Sequence, residues 1–146
     1  MNYAEQLFER KMKECGRKVI ISTKEQNIYE HIDFIVDGIS YDVKAEKKKN
    51  RGDNETSQNI IWLEMKNVLG NKGWLCSNVD MIAFQYGENF NIFDRQELLI
   101  FIREFVGHGE VFRLPRYRQL YRRYGRKDLI TYVYLKDIIH LLKEKI

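Results

Sequence analysis

Apolar and polar side chains alternate along residues 31–46, on either side of the dipeptide Asp37-Gly38. Asp-Gly between two alternating runs favours a β-hairpin that is closed by a two-residue type I′ turn. With that turn, the numbers of facing residues sum to 75, so Asp33 is expected opposite Asp42, at a Cβ separation of roughly 4.5–5.5 Å. The pattern therefore predicts one apolar face and one polar face, and the polar face carries both aspartates and Lys44.

The polar face of this hairpin has two interpretations. Two carboxylates at that distance repel each other unless a cation lies between them, and with a neighbouring lysine they have the makeup of a divalent-metal site for phosphodiester chemistry. Alternatively, water covers the face, and its Asp–Lys pairs contribute only tenths of a kcal/mol. Directly opposed aspartates are unfavourable on a plain surface strand, which favours the metal site. A slip of one residue in the register would place the two acids on opposite faces.

The other elements follow from hydrophobic periodicity and from capping and turn residues. Helices are predicted at residues 3–15, from Asp94 to just before Gly107, from Pro115 to Gly125, and from Asp137 to near Ile146. Strands are predicted at residues 19–23, 31–36, 39–46, 60–66, 79–86, 90–93 and 129–135, with a loop at residues 47–59. This order predicts an α/β fold in which helices flank a mixed central β-sheet.

Composition narrows the class of protein. The chain of 146 residues is 44% hydrophobic and has a single proline, which predicts one compact domain over residues 1–146. No apolar run approaches the length that crosses a bilayer, so no membrane partner is expected. Cys15 and Cys76 have no metal-ligand spacing, and we interpret both as reduced core residues of a cytoplasmic protein.

Positive charge is concentrated in one part of the chain. The net charge is +4, yet residues 113–127 alone carry seven cations and no acid, which leaves the rest of the chain at −3. A second cluster of lysines begins at Lys47, directly after the hairpin. Such patches are typical of proteins that contact phosphates. The predicted nucleic-acid-binding residues are Arg116, Arg118, Arg122, Arg123, Arg126, Lys127, Lys47 and Lys48.

The first helix followed by this hairpin, with Asp33 on one strand and Asp42-Val43-Lys44 on the next, resembles the PD-(D/E)XK nuclease superfamily. The resemblance implies a restriction-endonuclease-like core, Mg²⁺ or Mn²⁺ held by Asp33 and Asp42, and Lys44 positioning the attacking water. Many members, including archaeal-type Holliday-junction resolvases, add a glutamate from the first helix, which Glu5 matches here. The implied activity is metal-dependent endonucleolytic hydrolysis of DNA, as in small phage and bacterial endonucleases acting in the cytoplasm of a bacterial host.

Several alternatives stay open at this point. Ile32 stands where the superfamily has a proline, and no helix is evident between the motif strand and the next strand. A second triplet, Glu64-Met65-Lys66, offers Glu64 as a further metal ligand or as the motif acid. The same residues are compatible with a nucleic-acid-binding module that does not cleave, or with a phage-type interaction or inhibitor protein. The oligomeric state is also open, with a homodimer as one option.

Overall fold

The computed structural model describes residues 1–47 and 59–146, except for the side chain of His108. Lys48 and most of the loop predicted at residues 47–59 lie outside the described residues. The helices and strands, in chain order, are α1 (Tyr3–Glu14), β1 (Val19–Ile21), α2 (Lys24–Glu30), β2 (Phe34–Val36), β3 (Ile39–Lys44), β4 (Ile60–Lys66), β5 (Met81–Tyr86), β6 (Asn89–Asp94), α3 (Arg95–Phe105), β7 (Gly107–Phe112), β8 (Gln119–Tyr121), β9 (Leu129–Tyr134), α4 (Leu135–Ile138) and β10 (Leu142–Lys145). Short 3₁₀ helices occur at Trp74–Cys76 and Ile139–Leu141.

These elements form two compact units, and the first consists of Met1–Glu46, Asn78–Arg95 and Leu142–Ile146. Its six-stranded sheet has the order β1-β2-β3-β5-β6-β10. Strands β3 and β5 are parallel, and every other neighbouring pair in this sheet is antiparallel. Helix α1 packs on β1 and β3, and Phe8 on its buried face contacts the rings of Phe34 and Tyr41. The predicted first helix and hairpin therefore share one apolar core.

The start and end of α1 agree with the prediction from sequence. Asn2 and Glu5 form a capping box, since the Glu5 N–H donates to Asn2 Oδ1 (2.9 Å) and the Asn2 N–H donates to Glu5 Oε2 (3.1 Å). Four apolar side chains on one face are buried, as helical periodicity requires. Gly16 follows with φ 77°, the left-handed conformation that commonly ends a helix.

Helix α2 was not predicted, and its presence changes the start of the hairpin. Thr23 and Gln26 cap it reciprocally, and His31 ends it with φ 58°. The strand expected from residue 31 therefore begins only at Phe34. The signal was present in the sequence, because Thr-x-x-Gln is a capping-box pattern.

The second unit consists of Lys47–Ser77 and Gln96–Leu141. Its four-stranded sheet has the order β4-β9-β8-β7, with β7 and β8 parallel and the other pairs antiparallel. The bounds predicted for β4 are confirmed. The fold is thus mixed α/β, as predicted, but its strands divide between two sheets instead of forming one. That residues 1–146 act as a single domain stays a prediction.

Two predicted helices are wrong. Residues 115–125 contain strand β8 and turns instead of a helix, because Arg118 has φ 61° and β8 finds hydrogen-bonding partners in β7 and β9. The last helix ends at Ile138, and Leu142–Lys145 forms an edge strand against β6. Beyond that strand, the main-chain N–H and C=O of Ile146 bond to those of Phe90. No helix within the described residues has the length and apolar character that crossing a membrane requires.

Candidate functional site

The hairpin register is the one predicted from the sequence. Phe34 pairs with Tyr41 and Val36 with Ile39, so facing residue numbers sum to 75. Asp37 and Gly38 have φ values of 48° and 82°, and a type I′ turn needs positive φ at both positions. The Asp33 N–H donates to the Tyr41 carbonyl at 2.8 Å, and because these two numbers sum to 74, the pairing leaves the predicted register at Asp33. The two acids are still neighbours on this hairpin, since the Asp33 carboxylate acts on Asp42 through its charge and through a side-chain hydrogen bond.

Asp33 is fixed through both of its carboxylate oxygens. Oδ1 accepts a hydrogen bond from Asn27 Nδ2 at 2.7 Å, and Oδ2 accepts one from the Val43 N–H at 2.7 Å. The first donor comes from helix α2 and the second from strand β3. Sequence reasoning missed Asn27 because it missed α2. Two short hydrogen bonds leave Asp33 little rotational freedom, so its carboxylate is held in place before any ligand binds.

Asp42 is a buried carboxyl, only 3% exposed. The Lys44 ammonium lies 3.1 Å from Asp42 Oδ2, and no other described residue donates a hydrogen bond to that oxygen. Both the charge of Lys44 and its hydrogen bond favour the ionised form of Asp42. Burial raises the pKa of Asp42 to about 7, and the Asp33 carboxylate adds to the rise while Lys44 opposes it. The alternative of a fully hydrated polar face is excluded at this residue.

The remaining carboxylate expected from the resemblance does not join this pair. Glu5 is occupied at the start of α1, where its Oε2 accepts the Asn2 N–H at 3.1 Å. Within residues 1–47 and 59–146, no three His, Cys, Asp or Glu side chains form a group that could hold a metal ion. Asp33, Asp42 and Lys44 are thus brought together, and Glu5 is not.

Glu64 lies on β4 in the second unit, opposite Ile130 of β9. The register shifts between Glu64 and Lys66, which interrupts the alternation that would put both on one face. Gly73 packs so tightly on this strand that a Cβ there would lie 2.4 Å from the Glu64 carbonyl oxygen. The glycine therefore allows close packing of the turn against β4.

Several cations of residues 113–127 have structural partners. Arg123 Nε lies 2.6 Å from Oδ2 of Asp128, which is fully buried, and Arg122 Nε donates to the Asp128 carbonyl at 3.1 Å. Arg118 donates to the Phe105 carbonyl at 2.9 Å, with its guanidinium 4.1 Å from the centre of that ring. Asp128, which neutralises Arg123, lies one residue after the segment 113–127. The count of charges in that segment therefore did not include it.

The other predicted phosphate-binding cations are more available. Arg116, Arg126, Lys127 and Lys47 are exposed, and none has a carboxylate within 4.0 Å in the part of the chain that the structure describes. The Arg116 guanidinium lies 4.2 Å from the centre of the Phe112 ring, which leaves its N–H edge open. These four are better candidates for phosphate contact than Arg122 or Arg123.

Comparison with models of known protein families, with curated proteins and with solved structures gave no match. Any assignment of function therefore depends on the residues themselves.

Proposed function

We propose that this protein is a metal-dependent endonuclease that hydrolyses phosphodiester bonds in DNA. The observation that supports the proposal is the burial of Asp42 beside Asp33, with the Lys44 ammonium 3.1 Å away. A buried carboxyl beside a second acid lowers stability unless something compensates it, and such arrangements occur preferentially at functional sites.

The donor set suits Mg²⁺ or Mn²⁺. Mg²⁺ keeps several water ligands and commonly binds through one or two protein carboxylates together with substrate phosphates. Asp33 and Asp42 provide those two carboxylates, and Asp42 Oδ2 is a buried oxygen whose described neighbour is the Lys44 ammonium, 3.1 Å away. When bound, the metal would lower the pKa of a water molecule and stabilise the leaving oxygen.

Each residue of the site has a distinct task in this proposal. Asn27 and the Val43 N–H hold the Asp33 carboxylate in one orientation. Asp42 must be ionised to act as a ligand, and because its pKa is about 7 in the metal-free protein, a metal ion would compete with a proton for it below that pH. Lys44 offsets part of the negative charge and orients the attacking water. Exposed Arg116, Arg126, Lys127 and Lys47 contact backbone phosphates, which positions DNA without reading its sequence.

Membership of the PD-(D/E)XK superfamily, with a restriction-endonuclease-like core and a setting in the cytoplasm of a bacterial host, is part of the same proposal. The six-stranded sheet supports it, because the hairpin that carries the two acids continues into a parallel strand pair, β3 and β5. Glu5 would complete the superfamily's ligand set only if its side chain left the α1 capping box.

A nucleic-acid-binding protein without cleavage activity is the second candidate. It is favoured by the absence of a third carboxylate ligand from the described residues. In this case the exposed cations would still bind phosphates, and Lys44 would serve to neutralise Asp42.

Cleavage assays separate the two candidates. Labelled duplex, single-stranded, flap and four-way-junction DNAs are incubated with the protein and Mg²⁺ or Mn²⁺. We expect cleavage of at least one DNA by the parent, none in EDTA, and none by Asp42→Asn or Lys44→Met. Asp37→Asn is the matched control, because it makes the same chemical change at an exposed position of the same hairpin. Binding without cleavage of any DNA would favour the second candidate, and cleavage by Asp42→Asn would contradict the site.

A further inference from the structure

One face of the sheet in the second unit is lined with aromatic rings. Trp62 on β4 faces Tyr132 on β9, and Ile60 faces Tyr134. The ring centres of Trp62 and Tyr132 are 5.3 Å apart, and the Tyr117 ring lies 5.0 Å from that of Tyr134. All four aromatic side chains keep part of their surface accessible, with Tyr117 37% exposed. The face is therefore not a closed core.

The side chains that alternate with these rings along β4 and β9 lie on the opposite side of the sheet and are buried. Leu63 and Val133 are completely buried, Ile61 is 7% exposed, and the hydroxyl of buried Thr131 donates to the Gln119 carbonyl at 2.8 Å. The apolar side of the sheet thus accounts for the core of this unit. The aromatic rings on the other side of the sheet are only partly buried.

A cavity of about 420 Å³ opens beside this face and is lined by Asn59, Tyr134 and Lys136. Its volume lies within the range of small-ligand sites, roughly 300–1,000 Å³. The Leu135 N–H donates to the Asn59 carbonyl at 2.8 Å, which ties the two walls together. The Lys136 ammonium lies 5.5 Å from the centre of the Tyr134 ring. The cavity thus combines an aromatic ring, an amide and a cation.

We propose that this cavity binds an unpaired base of single-stranded DNA, which stacks on Tyr134 while Lys136 contacts the adjoining phosphate. Every base has a π-face, so stacking on tyrosine tolerates any sequence. The amide of Asn59 can donate to and accept from a base edge. In a duplex the bases are stacked on each other and cannot reach such a ring, so the site selects unpaired strands. The inference depends on the proposed function only in that the partner is DNA.

The test measures DNA binding under conditions in which the DNA cannot be cleaved. Fluorescence anisotropy of labelled oligo(dT) and of a labelled duplex is recorded in EDTA with Asp42→Asn protein, so that a failure of the nuclease proposal does not affect the result. Tyr134→Ala and Tyr134→Leu are expected to weaken oligo(dT) binding about five- to hundredfold. Tyr134→Leu retains apolar volume but has no π-face, and circular dichroism and melting curves confirm that each variant is folded.

Matched controls lie in the first unit. Tyr29 is 79% exposed, and Lys24 occupies the start of a short helix, as Lys136 does. Tyr29→Ala and Lys24→Ala should bind oligo(dT) as the parent does, whereas Lys136→Ala should reduce the slope of log K against log salt by about 0.7. Unchanged oligo(dT) binding by folded Tyr134→Leu, an equal loss of oligo(dT) binding in Tyr29→Ala, or an equal loss of duplex binding in Tyr134→Leu would overturn the proposal.

Discussion

Replacing Asp42 by asparagine is expected to change how the stability of the metal-free protein depends on pH. Burial, helped by the Asp33 charge, raises the pKa of Asp42 from 3.8 to about 7 in the folded protein. Between these pH values the folded protein holds a proton that the unfolded chain has released. Its free energy of unfolding therefore falls as the pH rises, and the stabilisation is lost by the time the pH passes about 7.

The size of this effect follows from linkage. A difference of one bound proton changes the free energy of unfolding by about 1.36 kcal/mol for each pH unit. Between pH 5 and pH 8, the folded and unfolded states differ by this one proton over about two pH units, from pH 5 to the pKa of about 7. The free energy of unfolding of the parent should therefore fall by about 3 kcal/mol, a loss that a variant with the non-titrating asparagine does not show. At pH 8, Asp42→Asn should therefore be more stable than the parent, while at pH 5 the two proteins should have similar stability.

Denaturant unfolding of both proteins in EDTA at pH 5 and pH 8 measures this difference. Asp37→Asn is the control, because an exposed Asn-Gly also suits a type I′ turn and should differ from the parent equally at both pH values. Adding Mg²⁺ at pH 8 should stabilise the parent by RT ln(1 + [Mg²⁺]/Kd) and Asp42→Asn less. A stability difference between Asp42→Asn and the parent that is the same at pH 5 and pH 8 would refute the argument from burial.

Two further predictions concern residues outside the hairpin. Arg123→Ala should destabilise the protein by about 1–3 kcal/mol, because it removes the charged partner of buried Asp128, whereas exposed Arg126→Ala should change stability by less than about 0.5 kcal/mol and reduce the salt slope of duplex binding by about 0.9. Unfolding curves and salt titrations of both variants decide this, and a larger stability loss for Arg126→Ala would contradict it. Gly73→Ala should lower the free energy of unfolding by about 1–3 kcal/mol, because its Cβ would lie 2.4 Å from a main-chain oxygen of β4. Gly109→Ala, with open space around the added Cβ, serves as the control in the same melting experiment and should leave stability nearly unchanged.

Local patterns in the sequence determined the elements whose interactions are close along the chain. Asp37-Gly38 between alternating runs was enough to predict the hairpin register, because a two-residue turn leaves one pairing that buries the apolar face. The bounds of α1 followed from its apolar spacing and from Gly16, and those of β4 from its run of β-branched and aromatic residues. The proximity of Asp33, Asp42 and Lys44 on this hairpin could therefore be predicted without tertiary information.

Tertiary structure determined the secondary structure of segments whose hydrogen-bonding partners are distant in the sequence. Tyr117, Leu120, Tyr121 and Tyr124 have helical spacing, yet this segment forms β8 and turns because β7 and β9 supply its hydrogen bonds. The C-terminal residues form a strand because the edge of β6 accepts them.

The chemistry of the candidate site also depends on tertiary packing. Asn27 meets Asp33 only because α2 folds back on the hairpin. The pKa of Asp42 is raised by burial, and burial depends on how the whole chain packs. A sequence pattern can specify which side chains share a face, but the environment that sets their charge arises only when distant segments exclude water.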